Sequence, residues 1–207
     1  MSEPITTQHS PAEKLNFLDT LYDTLFHPIA TFRALDEAAP VQPQPLFYAL
    51  TAVIAISALA PVIQMANVGG DTGGLALGIP LSSIAGVAIW AFMGLTTGLL
   101  AYAFTGQAKI RTFLTLSGLA TLPWLLMGPV SVLKFGLGPI GAVIAILGAL
   151  LVWLWSVLLF GLALMVTYRM TVERAMIVLA TPFITLLILL GWILGFFGNV
   201  RQLVFHL

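Results

Sequence analysis

The hydrophobic pattern of the chain is dominated by five long apolar stretches, at 46–66, 79–104, 112–133, 140–168 and 175–198, none of which contains Asp, Glu, Lys, Arg or His. Crossing ~30 Å of hydrocarbon takes roughly 20 helical residues, so each stretch is long enough to span a bilayer. Ahead of them the pattern is different. Leu15, Leu18, Leu21, Tyr22, Leu25, Phe26, Ile29, Phe32 and Leu35 recur at spacings of three and four, with Asp19, Thr20 and Asp23 between them. That is the period of an amphipathic helix. Pro28 restricts His27 and predicts a kink or a break into two short helices. The first 13 residues read as a polar tail, and Ala39-Pro-Val-Gln-Pro-Gln-Pro45 as an extended linker into the bilayer. The expected fold is an all-α integral membrane protein: a cytoplasmic leader over 1–45 with a kinked amphipathic helix, then a five-span domain over 46–207.

Composition sharpens this. Of 207 residues 59% are hydrophobic and 8% charged, against about 25% charged in soluble domains. Eight acidic and eight basic residues give no net charge, so no nucleic-acid surface is indicated. The chain has no Cys, which leaves neither disulfides nor a thiolate ligand or nucleophile. Apolar sequence begins only near Leu46, so the first span is expected to be its own insertion signal.

The basic residues of the short loops orient the bundle. Arg33, Lys109, Arg111, Arg169 and Arg174 fall on the side of the N-terminus, and Lys134 and Arg201 on the other. This predicts a cytoplasmic N-terminus and an external C-terminus. Between the last two spans, Arg169, Glu173 and Arg174 form a charged corner, which a bilayer interior excludes at roughly 2.5–3.5 kcal/mol per charge. Thr171 is expected to cap the last helix, with Glu173 in its first turn and Arg169 ending the helix before it. The loop Asn67–Gly74 is rich in glycine, but no Lys-Ser/Thr follows it and it reads as an external turn.

Within the spans the expected chemistry is sparse. Proton relays, coupled transporters and intramembrane metal sites rely on ionisable groups, and His9, His27 and His206 all lie outside the spans. Haem ligation by histidine, a zinc protease and a buried Ser-His hydrolase are disfavoured, and no enzyme activity or cofactor is expected. Gly94/Gly98 and Gly191/Gly195 match the small-x-x-x-small pattern of close helix approach, for internal packing in the first place and otherwise for a homo-oligomer. Pro123 and Pro129 interrupt the third span and Pro182 the last. Each is expected to free a carbonyl for a nearby hydroxyl, with Ser117, Thr121 and Thr181 at hand. A kink with Trp124 beside it makes a polar cavity conceivable there.

Three stretches carry a resemblance to a known family. Leu25-Phe26-His27-Pro28-Ile29-Ala30-Thr31-Phe32-Arg33 is similar to the Pro-x-x-x-Phe helix before the first span of the Yip-one domain family, the Ypt- and Rab-interacting membrane proteins. Leu119-Ala120-Thr121-Leu122-Pro123 resembles that family's mid-domain motif. Trp153-Leu154-Trp155-Ser156-Val157-Leu158-Leu159, followed by Arg174-Ala175, resembles its fourth span and the start of its fifth. The Asp-Leu-Tyr-Gly-Pro and Gly-Tyr motifs of eukaryotic members are absent, so the resemblance is to bacterial or cyanobacterial members. It implies five spans and a cytoplasmic N-terminus, in a bacterial inner membrane or a thylakoid.

The leading functional expectation is a non-enzymatic membrane adaptor or scaffold, an accessory or assembly subunit or a membrane-organisation factor. It would dock other membrane proteins at its cytoplasmic face through Pro28, Phe32, Arg33, Arg169, Glu173 and Arg174. The alternative is a small transporter or lipid- or neutral-solute-binding protein, its cavity formed at Pro123, Trp124, Pro129, Trp155 and Ser156.

Overall fold

In the computed structural model, residues 16–39, 42–68 and 73–205 are described, with the backbone alone described at 64, 66–68, 73, 134–136, 183, 186, 189–190 and 193–205. The described chain forms eight α-helices and one 3-10 turn: α1 Phe17–Phe26, α2 Pro28–Ala38, α3 Gln44–Val68, α4 Gly73–Thr105, α5 Ile110–Leu119, the 3-10 turn Leu122–Leu126, α6 Met127–Gly136, α7 Gly138–Tyr168 and α8 Val172–Phe205. Among the described residues, four segments are long and apolar enough to cross a membrane: Gln44–Ile63, Gly74–Thr105, Ile110–Leu133 and Gly138–Tyr168. They coincide with the first four apolar stretches. The Asn67–Gly74 turn and the Pro-rich linker fall partly outside the described residues, as does the polar tail.

Proline shapes the third span and leaves others intact. Pro123 stands in the first turn of the 3-10 segment that separates α5 from α6, because its ring excludes the preceding carbonyl from the α-helical ladder. Pro61, Pro80 and Pro182 lie inside continuous helices. The neighbouring hydroxyls do not take up the carbonyl four residues before each proline. Thr121 Oγ1 donates to Gly118 O at 2.6 Å, Ser117 Oγ to Leu114 O at 3.0 Å and Thr181 Oγ1 to Ile177 O at 2.7 Å. Each satisfies itself on its own preceding turn, the local bond that short hydroxyl side chains favour.

The core gathers around α5. Seven of its ten residues, Thr112, Phe113 and Thr115 to Leu119, are buried. A spanning helix normally turns one face to lipid, and here other parts of the chain cover it. On one side α3 approaches so closely that a Cβ on Gly118 would stand 2.7 Å from Ala49 Cβ and 3.3 Å from the Ala49 backbone. On another, Phe113 packs edge-on to Phe160 at 5.7 Å and beside Tyr168 at 5.8 Å. The leader closes the remainder: α2 packs on α5 and α7, and α1 on the 3-10 turn.

The leader is therefore built into the bundle. As its pattern predicts, it breaks at His27 into two helices, but the apolar positions divide between two faces. Phe32 and Leu35 are wholly buried with Ala49, Leu116 and Leu164 in one core. Leu18, Tyr22, Phe26 and Ile29 stay exposed, while Thr20 and Thr24 go inside. The two threonines are tolerated there because Thr20 Oγ1 donates to Asn16 O at 2.9 Å and Thr24 Oγ1 to Thr20 O at 2.7 Å, so neither of these two hydroxyls is left unpaired. The end of α2 is pinned by Lys109, whose Nζ lies 3.1 and 2.9 Å from the two oxygens of Asp36, a carboxylate with only 11% of its side chain exposed. Arg111 adds a longer bond to Gln42 O at 3.4 Å.

This packing gives a sharp contrast between neighbours in sequence. Phe32→Ala should lower the unfolding free energy by about 3–5 kcal/mol, the usual cost of emptying a buried aromatic site, whereas Arg33→Ala should stay within about 0.5 kcal/mol. Denaturant titration of the protein in mild micelles reads both. Likewise Gly118→Ala should cost about 1–3 kcal/mol through overpacking. Gly161→Ala, with nothing within 4 Å of its added Cβ, should be neutral or slightly stabilising.

Candidate functional site

Two regions hold the side chains with functional potential, one at the end of the bundle that carries the leader and one between the spans. At the first, α7 ends on Arg169, the one non-glycine among the described residues with positive φ, at 50°. Left-handed backbone at a helix C-terminus ordinarily falls to glycine, because a Cβ there crowds the carbonyl. Thr171 O accepts from Ala175 N at 3.0 Å, which opens α8, and Glu173 stands in its first turn. Arg169 thus ends α7 and Glu173 falls in the first turn of α8, as expected of the corner. Arg33, Arg169, Glu173 and Arg174 are exposed, and among the described residues the ion pairs are Asp23 with His27 and Asp36 with Lys109. The three arginines are thus unengaged. Of the residues expected to dock with them, one does otherwise. Phe32 is wholly buried, a core residue instead of a docking contact, and Pro28 is half-buried at the start of α2.

The second region is a partly open cavity of about 730 Å³ between α3, α4, the 3-10 turn, α7 and α8. Ser57 and Ile56 come from α3, Gly86, Trp90 and Thr97 from α4, Thr121 and Trp124 from the turn region, Trp153 and Ser156 from α7, and Met176, Leu179 and Ile184 from α8. Its walls are overwhelmingly apolar. The volume falls within the roughly 300–1,000 Å³ of small-molecule sites. It is open at the surface, where Ile89, Met176 and Ile184 of its lining are 63%, 53% and 54% exposed, so the surrounding medium reaches into it.

Local contacts keep the cavity in shape. Trp90 Nε1 donates to Ser117 Oγ at 3.1 Å, which ties the α4 wall to α5. Tyr168 OH donates to Gly98 O at 3.1 Å and fastens α4 to the end of α7. Gly86 lets α3 and α4 close, since a Cβ there would collide with the Ser57 hydroxyl. Gly94 and Gly98 serve the same end: added Cβ atoms would stand 2.6 Å from Leu114 Cδ2 and 3.3 Å from Phe113 Cδ1 and Tyr168 OH. That face is used within the chain. Gly191 has open surroundings, and the side-chain environment of Gly195 lies outside the described residues.

Of the residues expected at a cavity, Trp124 and Ser156 line this one. Pro123 is buried beside it without lining it, Pro129 is exposed on α6, and Trp155 is 40% exposed and belongs to the outer face of α7. The cavity is also far less polar than a proline-freed carbonyl would make it. Ser57, Trp90, Trp153 and the α8 residues were not foreseeable from the motif around Pro123, because they meet it only through helix packing. One polar atom stands out. Ser156 Oγ is buried and, among the described residues, has no hydrogen-bond partner, a condition it shares with Thr167 Oγ1, which is not on the cavity.

An orphaned hydroxyl costs about 1–3 kcal/mol relative to a paired one. In protein stripped of lipid, Ser156→Ala should therefore unfold no earlier than the parent. In protein carrying a guest that hydrogen-bonds Ser156, the same substitution should lower stability by about 1 kcal/mol. Denaturation of matched stripped and lipid-loaded samples measures the reversal of sign.

The family comparison agrees with this architecture. The family model described as the Yip1 domain matches residues 22–193, from the middle of α1 to the far part of α8. Comparison with curated proteins and with solved structures gave no match. With the match extending over most of its length, from the leader through the last long helix, the chain belongs to the Yip1 domain family.

Proposed function

We propose that this Yip1-family membrane protein acts by binding rather than catalysis, holding a lipid acyl chain or comparably apolar guest in the cavity between its spans. The cavity itself carries the proposal: its volume, about 730 Å³, is that of a small-molecule site. Apolar walls disfavour water, and the surrounding medium supplies hydrocarbon. Ser156 Oγ offers the guest a single hydrogen-bonding point, and Trp90, Trp124 and Trp153 offer flat apolar walls. In this reading α8 is a fifth crossing. Its 34 residues at ~1.5 Å each exceed the bilayer core, and it supplies part of the cavity wall. The N-terminus is cytoplasmic, on the balance of basic residues in the loops, and the membrane is a bacterial inner membrane or a thylakoid.

Mass spectrometry of the intact protein released from mild micelles tests this. One lipid or other apolar molecule per chain should survive on the parent. It should be largely lost from Ala180→Trp, which adds an indole to the cavity wall, and be kept by Arg174→Ala. A parent without a guest, or an Ala180→Trp variant that keeps it fully, contradicts the proposal.

A second reading, an adaptor that docks another membrane protein at the cytoplasmic corner, is favoured by Arg169. An arginine occupies a left-handed position where glycine is favoured, and its charge is unengaged. Arg169→Gly should leave the unfolding midpoint unchanged or slightly raised, since backbone strain is relieved. Under the adaptor reading it should also abolish cross-linking between this corner and its neighbour in native membranes. Cross-linking that never occurs speaks for the cavity alone, and cross-linking that persists unchanged removes Arg169 from the docking contact. Self-association through the open face at Gly191 would be a further kind of partner.

A further inference from the structure

The helix α1 has three distinct sectors, and one has no partner among the described residues. Thr20 and Thr24 are buried at 3% and 0% exposure, and Leu21 and Leu25 pack on the core, which makes one sector the inner face. Leu18, Tyr22 and Phe26 follow at four-residue intervals and are 68%, 59% and 64% exposed. The Tyr22 and Phe26 rings lie 4.6 Å apart, so the strip is continuous. About 100° further round at 3.6 residues per turn, Asp19 and Asp23 form the third sector, the latter 3.6 Å from an exposed His27.

The position of α1 identifies what meets the exposed strip. The Phe17 ring packs, tilted, at 5.2 Å from that of Tyr48, inside the membrane-crossing segment Gln44–Ile63, and α1 packs on the 3-10 turn Leu122–Leu126, inside the segment Ile110–Leu133. The outward side chains of those segments near it, Phe47 and Leu126, are themselves 62% and 52% exposed and apolar. The strip thus continues the lipid-facing belt of the bundle. Carboxylates avoid the hydrocarbon interior, so the acidic sector fixes α1 at the boundary and keeps it from sinking.

We infer that α1 is an in-plane interfacial helix, with Leu18, Tyr22 and Phe26 among the acyl chains of the leaflet on the leader's side and Asp19 and Asp23 toward the headgroups and water. That this leaflet is the cytoplasmic one rests on the orientation proposed above; the contact itself does not depend on the cavity. Interfacial helices usually pair an apolar face with Lys and Arg that seek anionic lipid. Here the flank is acidic, so the contact is apolar and indifferent to anionic headgroups.

Because the chain lacks Cys, single-cysteine variants of the full protein can be spin-labelled cleanly. The variants are Leu18→Cys, Tyr22→Cys, Phe26→Cys, Asp19→Cys and Asp23→Cys in phosphatidylcholine vesicles, with Leu147→Cys on the exposed face of α7 as a reference for a folded, inserted bundle. Collision with oxygen should exceed collision with a water-soluble nickel chelate several-fold at 18, 22 and 26, as at 147, and the order should invert at 19 and 23. Replacing a third of the lipid by phosphatidylglycerol should leave the ratios within two-fold. Chelate-dominated collision at 18, 22 and 26 with a normal reference overturns the inference. So does protection there from both reagents, which would mean that protein covers the strip, and so does an oxygen preference that appears only with anionic lipid.

Discussion

The burial of α5 is the constraint on which the other features depend. A helix in a bilayer can leave apolar side chains facing lipid at no hydrophobic cost, yet Thr112, Phe113 and the run Thr115 to Leu119 are all enclosed. Enclosing them takes α3 drawn close by Gly118, α7 through Phe160 and Tyr168, α4 through Gly94 and Gly98, and the leader hairpin. Once Phe32 and Leu35 stand in that core and Lys109 holds Asp36, the leader ceases to be a separate docking arm. It becomes a wall of the bundle, and what it still presents outward is an apolar strip, an acidic flank and Arg33.

The same arrangement places the cavity. With α5 giving way to the 3-10 turn at Pro123, the third span cannot fill the space that a straight helix would occupy, and Trp124 and Thr121 come to line it with α3, α4, α7 and α8. A tight region around α5 and a roomy one beside the turn thus stand next to each other. The tight region fixes the helix ends at which the arginines sit, and the roomy one is where a guest can be held.

The apolar stretches were legible in sequence because bilayer thickness dictates their length, and four of them reappear with shifts of a few residues. The break at His27 and the interruption at Pro123 were legible because proline restricts its own neighbours, although Pro182, expected to interrupt the last span, lies inside a continuous helix. Legibility ended where faces compete. Period alone cannot distinguish Leu18, Tyr22 and Phe26 from Leu21, Leu25 and Phe32, and polarity misleads at Thr20 and Thr24, whose hydroxyls turn back on their own helix. Hence Phe32 read as a docking residue and proved to be core. Trp155 was misplaced likewise: it neighbours Ser156, but on a helix adjacent residues point about 100° apart, so one lines the cavity and the other faces outward. Gly94 and Gly98 show the pattern of close approach without showing whose helix approaches.

Hydrogen exchange of the intact protein in a lipid disc measures most directly whether the leader is part of the bundle. If α2 is a wall of the core, amides over Thr31 to Leu35 should be protected to the same order as those of α5, and Asp36→Asn should speed exchange in both together. Exchange of the α2 amides at the rate of an unstructured peptide, with α5 still protected, would contradict a bundle organised around a leader-enclosed α5.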